Sequence, residues 1–211
     1  YQWRLISAAA LVVPEKADLN PGLLAKRDAF LALLHQETQR IVEALDGQMM
    51  PLPDGGALAW FGHPKSHQDD AERIIYLVQL IQNWLDVHNP SKAFRGRVAI
   101  GVASHTEVIA ESAEQIFAVN AFRNAVSMAN MAVGSPYPLV SELTRRLTPD
   151  VGLWQSIKLP PAVRNRHNQL GSEVFALAAN QNDPQALVRR WGGLPFVDEL
   201  SHSAKNGIAQ W

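Results

Sequence analysis

The sequence has 211 residues, of which 47% are apolar and 18% charged, a balance typical of a globular protein rather than a disordered one. Lys and Arg total 19 and Asp and Glu total 20, which leaves a formal net charge of -1. Because no block of basic residues stands out, a nucleic-acid partner is not expected. The absence of cysteine excludes disulfides and thiolate sites and favours a reducing compartment, the cytoplasm.

No segment of the chain is apolar for long enough to cross a bilayer. The longest apolar run, Ala8 to Val13, is far shorter than the roughly 20 residues that a spanning helix needs. The first residue is Tyr1 and not Met, which is compatible with a piece of a longer protein. A membrane association is therefore expected only through segments that this chain does not contain.

Hydrophobic periodicity predicts an alternation of strands and helices along the first half of the chain. A strand that is apolar on both faces precedes a long helix with an Asn-Pro start signal, and a hairpin then leads into a second long helix. Ser66 and Asp69 match a capping box at the start of that second helix. The predicted elements are a strand over 3–13, a helix from 21 to 45, strands at 49–51 and 57–61, and a helix from 66 to 85.

The second half is predicted to contain shorter elements. They are strands at 96–103 and 106–110, a helix over 118–131, a strand at 139–141, a helical turn at 142–147, and strands at 152–159 and 173–178. After Ala179 the periodicity ends, and only residues 184–190 have a helical pattern. The sequence therefore predicts one domain over 1–179 and a C-terminal tail or linker over 180–211.

The order of these elements indicates the fold class. Strand, helix, strand, strand, helix, strand is the order of a ferredoxin-like βαββαβ core. The protein is thus predicted to be α+β, with strands and helices added after this core. A chain of this length buries enough apolar surface to fold without metals or disulfides.

Four stretches of the sequence occur in the order and spacing of a known family. They are residues 54–62 (DGGALAWFG), 67–73 (HQDDAER), 97–101 (RVAIG) and 139–147 (LVSELTRRL). They resemble, in turn, the Gly-Asp-Gly turn with its following strand, the next helix start, an Arg-Val-Gly-Ile strand and a Leu-Val-Ser-Glu segment of the class III adenylyl/guanylyl cyclases. The resemblance covers roughly residues 3–178 and implies a class III cyclase-like fold.

The resemblance also implies a chemistry. In this family two aspartates, one on the first strand and one in the hairpin turn, hold two divalent cations that activate the 3′ oxygen and neutralise the triphosphate. Residues 7–13 of this chain read SAAALVV at the first of these positions, so the aligned residue is Ala9 or Ala10. An alanine methyl group cannot coordinate magnesium.

One carboxylate lies near the second metal position, in the hairpin turn. A count back from Phe61 without gaps aligns Gly55 with the family's aspartate and leaves Asp54 one residue early. A shift of one residue would restore the alignment, so Asp54 is the candidate, vestigial, metal ligand. Asp before Gly also suits a tight hairpin turn that holds no metal.

The nucleotide-reading positions have changed as well. The base-reading lysine falls at Pro51 and the base-reading aspartate at Ala121, and neither side chain can hydrogen-bond a purine edge. In the Asn-x-Ala-Ala-Arg helix, Asn124 keeps the ribose-contacting asparagine, whereas the arginine becomes Met128. Loss of one charge-stabilising donor alone costs about 3–4 kcal/mol of transition-state stabilisation. Asn124 is thus the one candidate, vestigial, nucleotide contact.

Other polar groups are interpreted as structural. Four residues of types that bind metals lie close together in the sequence, namely His63, His67, Asp69 and Asp70. They lie between a strand and the helix that follows it, where acidic residues complement the helix dipole. The arginine pairs at 145–146, 164–166 and 189–190 are interpreted as solvated surface. The six tryptophans are interpreted as core or interface anchors.

These observations predict a catalytically inactive nucleotide-cyclase-like domain without catalytic residues or cofactor. It would act as a regulatory or dimerisation module of a larger signalling protein, with a second copy or neighbouring domains as partners. The alternative is a purine nucleotide cyclase that converts ATP or GTP at an altered or partner-completed site and uses Mg²⁺ or Mn²⁺. A third hypothesis is a scaffold that has also lost dimerisation.

Overall fold

The computed structural model describes residues 1–13, 21–88, 98–110, 119–158 and 173–178, which all lie in the unit Tyr1–Ala179. The predicted tail, its helical segment at 184–190 and the start signal at Asn20 lie outside the described residues. Within the described ranges, no helix combines the length and hydrophobicity needed to cross a bilayer. The elements are β1 (Gln2–Val12), α1 (Pro21–Ala44), β2 (Gln48–Pro51), β3 (Ala57–Phe61), α2 (Asp70–His88), β4 (Ala99–Ile109), α3 (Asn120–Met131), β5 (Leu139–Ser141), α4 (Glu142–Leu147), β6 (Leu153–Lys158) and β7 (Glu173–Ala178).

The described strands form one sheet in the order β2-β3-β1-β4-β5-β7-β6. The first four strands are antiparallel neighbours, with β1 between β3 and β4. This is the ferredoxin-like arrangement, and β5 then adds to β4 in parallel, followed by β7 and β6. The predicted α+β class with additions to a βαββαβ core is therefore confirmed.

The two faces of the sheet are covered by different helices. Ala8, Ala10 and Val12 of β1 belong to an apolar cluster with α3. Because successive side chains of a strand point to opposite faces, Ala9 and Leu11 point to the other face, on which α1 and α2 pack. Both faces of the middle of β1 are thus buried, as the apolar run at 8–13 predicts.

Helix α3 lies very close to the sheet at Gly101 of β4. A Cβ atom at this glycine would lie 2.0 Å from the backbone nitrogen of Ala129 and 2.3 Å from the carbonyl oxygen of Ala125. Only a residue without a side chain permits this approach of helix backbone to strand backbone. Gly101 therefore sets the distance between α3 and the sheet.

Two predictions of local structure are wrong. The strands predicted at 96–103 and 106–110 are the single strand β4, because it pairs with β1 along the whole length of both strands and polar residues at 104–106 do not interrupt the ladder. The predicted capping box at Ser66 and Asp69 lies one residue later. The Asp70 carboxylate accepts the backbone N–H of His67 at 2.8 Å, and α2 begins at Asp70.

A chain of buried hydroxyl groups links the centre of the sheet to α4. Ser7 and Ser104 are 2.8 Å apart across β1 and β4, and the Thr144 hydroxyl donates to Ser104 at 2.9 Å. Thr144 is also 2.9 Å from Ser141, whose side chain accepts the Thr144 N–H and caps α4. The Leu-Val-Ser-Glu segment thus serves to dock α4 on the sheet.

Candidate functional site

The first-strand position that would carry a metal ligand lies in the core. Ala9 and Ala10 have no exposed surface. Their cross-strand neighbours are Ala59 and Val102 for Ala9, and Leu58 and Gly101 for Ala10. Every side chain in this row is apolar or absent, so this part of β1 contributes no donor atom to a site.

The fold nevertheless brings the aligned positions together. Ala10 of β1, aligned with the first metal-binding aspartate, and Ala121 of α3, aligned with the base-reading aspartate, belong to one buried cluster. The hairpin turn also reaches β1, since a Cβ at Gly56 would lie only 1.9 Å from the carbonyl oxygen of Leu11. The residues at these positions meet as side chains of a core, not as ligands around an opening.

Asp54 is engaged by its own turn. Its Oδ1 accepts the backbone N–H of Gly56 at 3.0 Å, and its carbonyl oxygen accepts Nη2 of Arg27 on α1 at 3.2 Å. Gly55 has a φ of +86°, a conformation that favours glycine. Asp54 and Gly55 therefore have the geometry of a tight hairpin turn that is held against α1.

Asn124 and Met128 lie on α3 with different surroundings. Asn124 is only 7% exposed, and its side-chain amide makes no hydrogen bond to another described residue. Met128 is fully buried and packs with Ala99 and Leu139 in a second apolar cluster. The position aligned with the family's arginine thus faces the core of this chain.

These residues do not fit a pair of divalent cations. Hard cations take several oxygen ligands, and the described part of the chain has no group of three or more His, Asp or Glu residues arranged to hold a metal. The first-strand position supplies methyl groups, and the single nearby carboxylate, Asp54, already accepts a backbone N–H. No catalytic step through a metal can be assigned to this arrangement.

The sequence prediction missed a buried carboxylate, Glu107 of β4. It is 9% exposed, and its oxygens accept the backbone N–H of Ala121 at 3.1 Å and Nδ2 of Asn120 at 3.3 Å. Glu107 therefore caps the positive end of α3, whose own N-cap residue, Val119, has no polar side chain. A signal was present in the sequence, since Glu107 alternates with Ile109 on the buried side of a strand and an inward glutamate needs a partner.

The acidic residues before and at the start of α2 have structural partners. The Asp70 side chain is 1% exposed, and burial raises the pKa of its carboxyl, although hydrogen bonds from His67 act in the opposite direction. Lys65 donates to Asp46 at 2.6 Å, and this hydrogen bond lowers the pKa of Asp46. Asp69 accepts Nε of Arg73 at 2.9 Å. The geometry agrees with their interpretation as structural groups.

An apolar rim surrounds the α3-facing cluster. It consists of half-buried side chains packed against that cluster, namely Met50, Leu52, Trp60, Val119 and Val126. Trp60 also packs on Phe122, with ring centroids 5.0 Å apart, and among the described residues its Nε1 has no hydrogen-bond acceptor. These five side chains therefore form a partly exposed apolar border of the α3-facing cluster.

Comparison with known proteins relates the chain to solved structures only. Neither a protein-family model nor a curated protein sequence matches it. The adenylyl cyclase CyaB from P. aeruginosa has a TM-score of 0.63 at 12% identity, covering 86% of this chain and 97% of its own. The guanylate cyclase domain of RhGC from Catenaria anguillulae, solved with GTP, has a TM-score of 0.65 at 12% identity and covers 84% and 98%.

A third similar structure is a dimeric guanylyl cyclase domain of the RhoGC fusion protein from Blastocladiella emersonii. Its TM-score is 0.57 at 14% identity, and the match covers 83% of this chain and 94% of that one. These matches cover nearly the whole of each solved domain. The expectation of a cyclase-like fold is therefore confirmed, and the chain has the fold of nucleotide cyclase catalytic domains.

Proposed function

We propose that this chain is a catalytically inactive domain with a nucleotide cyclase fold, which acts as a regulatory or dimerisation module in a larger signalling protein. The observation that carries the proposal is on β1. Both residues aligned with the first cation-binding aspartate, Ala9 and Ala10, are alanines without exposed surface. Without that ligand the 3′ oxygen is not activated, and the charge of a triphosphate is not neutralised.

The other aligned positions support the same conclusion. Asp54 is bonded to the backbone of its own turn. The base-reading positions are Pro51, at the end of β2, and the fully buried Ala121, and Met128 lies in the core. Of the nucleotide-contacting set only Asn124 is retained, and one amide cannot hold a nucleotide against the cost of ordering it.

The competing function is a purine nucleotide cyclase. The similar solved domains are named as adenylyl and guanylyl cyclases, which favours this function through the shared fold alone. A partner chain with both aspartates would still require a charge-stabilising arginine from this chain. The buried Met128 at that position argues against such a helper role.

A turnover assay separates the two functions. The purified chain is incubated with ATP or GTP and with Mg²⁺ or Mn²⁺, and cyclic nucleotides are quantified. We expect no product and no rise in melting temperature, whereas a nucleotide at 100 times its Kd would add about 2.7 kcal/mol of stability. Cyclic product above a protein-free control would establish the competing function instead.

The dimerisation part of the proposal rests on the apolar rim. A partner that covers half-buried Met50, Leu52 and Val126 would stabilise the complex by roughly 25 cal/mol per Å² of apolar surface removed from water. The similar domain of the RhoGC fusion protein is described as monomeric in one structure and as a non-canonical dimer in another, and the second form supports a second copy of this chain as the partner. A second copy or a neighbouring domain would then transmit the state of one part of the protein to another.

Light scattering tests this part. We expect a concentration-dependent dimer that Val126→Glu weakens, because a charge on the rim would be buried in the interface. Val133→Glu is the matched control, since Val133 is 48% exposed just after the same helix. A chain that stays monomeric at high concentration, alone and with its neighbouring domains, would contradict dimerisation and support the scaffold hypothesis instead.

Two further parts of the proposal concern the surroundings of the domain. The absence of cysteine, and so of disulfides, supports a cytoplasmic location, because disulfides are rare in a reducing compartment. No cofactor is proposed, because the described residues offer no ligand set for one. Saturable stabilisation of the chain by Mn²⁺ alone would contradict this last point.

A further inference from the structure

The α3-facing position on β1 has no room for a carboxylate. Ala10 is fully buried among Ala8, Val12 and Leu58, and residues of α3 cover the cluster. Gly101 lies opposite Ala10, where the backbone of α3 approaches β4 most closely. An aspartate at position 10 would therefore be pushed against a helix that cannot move without losing its contact with the strand.

Position 9, the other candidate for the first aspartate, has no room for a carboxylate on the opposite face of the sheet. Ala9 is fully buried between Ala59 and Val102, and its side chain points to the face that α1 and α2 cover. An aspartate at position 9 would be on the face opposite to α3 and its cluster. The two candidate alignments of the first aspartate thus end in two different parts of the core.

Gly55, the turn position aligned with the second aspartate, has a backbone conformation that does not suit a side chain. Gly55 has a φ of +86°, and a Cβ there would lie 2.9 Å from Cδ1 of Leu31 on α1. Its side chain would be strained and directed at an apolar residue of a helix. Asp54, one residue earlier, bonds Gly56 instead.

We infer that packing has closed the cation site, so that restoring the two aspartates by mutation does not restore cation binding. The loss then lies in how α1 and α3 pack on the sheet and not only in two side chains. This inference rests on the proposed loss of catalysis and goes further, because it states that the loss cannot be reversed at the ligand positions alone.

The test compares an aspartate variant with its uncharged counterpart in the full chain. Ala10→Asp/Gly55→Asp and Ala10→Asn/Gly55→Asn have nearly equal volumes, so their difference reports the two carboxyl groups, of which the one at position 10 is in the core. We expect both to melt below the wild type and the aspartate variant to melt several degrees below the asparagine variant. Titration with Mn²⁺ is expected to shift neither melting temperature by more than it shifts the wild type.

Failure to fold is also informative. If the aspartate variant is unfolded while the asparagine variant folds, the inference predicts that excess Mn²⁺ does not recover the fold. If both double variants unfold, the single variants Ala10→Asp and Ala10→Asn, with the turn unchanged, take their place. A saturable rise in melting temperature with Mn²⁺, or metal-driven refolding, in an aspartate variant but not its asparagine partner would overturn the inference.

This outcome is distinguishable from failure of the proposed function. Cyclic nucleotide made by the wild-type chain would contradict the proposed loss of catalysis. Mn²⁺ binding by the aspartate variant alone would contradict only the closure of the site, because the wild type would still lack the ligands. A corresponding pair of variants, Ala9→Asp and Ala9→Asn, repeats the test for the alignment in which Ala9 replaces the first aspartate.

Discussion

The paired strands β1 and β4 have an inner and an outer half, which differ in burial and in the number of neighbouring strands. In the inner half, residues 7–12 and 99–104 are all buried, and β3 and β5 extend the sheet on both sides. In the outer half, residues 2–6 and 105–109 pair only with each other among the described strands. There the cross-strand partners Trp3 and Val108 are 75% and 51% exposed.

The difference shows where this fold tolerates change. The inner half contains the β1 position that aligns with the first aspartate of the cyclases, and its residues are all buried, so a change of volume or charge there disturbs the packing. In the outer half only one face is in solvent, since Ile6 and Ile109 still belong to the cluster that packs with α3. Side chains on the exposed face, such as Trp3 and Val108, have little to lose. Substitutions at four places on this pair of strands or in contact with it should therefore have effects that fall from the inner to the outer end.

The largest effect is expected at Gly101. In Gly101→Ala the new Cβ would overlap the backbone of α3 at 2.0 Å from the Ala129 nitrogen, and the helix must move away from the sheet. We expect a loss of about 3 kcal/mol or more in the free energy of unfolding, measured in urea. Gly134→Ala is the control, since it has a φ of +86° and no neighbour within 4 Å. It should cost about 1 kcal/mol, and equal losses would show that α3 does not lie tightly on β4.

The hydroxyl chain at the junction of the two halves should give the next largest effect. Thr144→Val keeps the shape of a fully buried side chain but removes the donor to Ser104, at an expected cost of about 2 kcal/mol. The exposed Thr106→Val should change stability by less than about 0.5 kcal/mol. In a double-mutant cycle with Ser104→Ala, purely additive losses would indicate that the two hydroxyls do not interact.

Glu107, in the outer half but turned towards α3, should have a smaller effect. Glu107→Gln keeps an acceptor for the N–H of Ala121 but removes the negative charge at the helix N-terminus. We expect a loss of about 1 kcal/mol that high salt changes little, because the Glu107 carboxylate is buried. Glu142→Gln, in the first turn of the short helix α4, is the control and should lose less. A loss no larger than that of Glu142→Gln would mean that the charge is not the reason for it.

The smallest effect is expected at the outer end. Trp3→Ser and Val108→Ser should each change the free energy of unfolding by less than about 0.5 kcal/mol, because both side chains are mostly in solvent. A loss of more than about 1 kcal/mol at either position would show that the outer end of β1 and β4 is covered in solution.

The elements of the core were predictable because local patterns specify them. The hairpin of β2 and β3, the segment 139–147 and strand β7 lie where turn residues and alternation place them. The continuity of β4 was not predictable, because the polar residues at 104–106 break the local apolar pattern and only pairing with β1 keeps them in a strand. The cap of α3 was missed for a similar reason, since Glu107 is separated from Ala121 by 14 positions.

The candidate site shows the same division. The residue types that determine its chemistry, alanine on β1 and methionine on α3, were readable without any structure, because a methyl group or a thioether cannot replace an aspartate or an arginine. Their surroundings were not. Burial of Ala10 depends on α3, and burial of Ala9 depends on the face that α1 and α2 cover. The engagement of Asp54 depends on the path of its turn.

The sequence by itself determined the order of strands and helices, because local periodicity is a property of neighbouring residues. Through its resemblance to the class III cyclases it also predicted which aligned positions hold alanine or methionine in place of a ligand. The tertiary structure alone decided that the place of those ligands is packed and that the hairpin turn presses against β1. Packing arises from contacts between residues far apart in the chain, which no local pattern records.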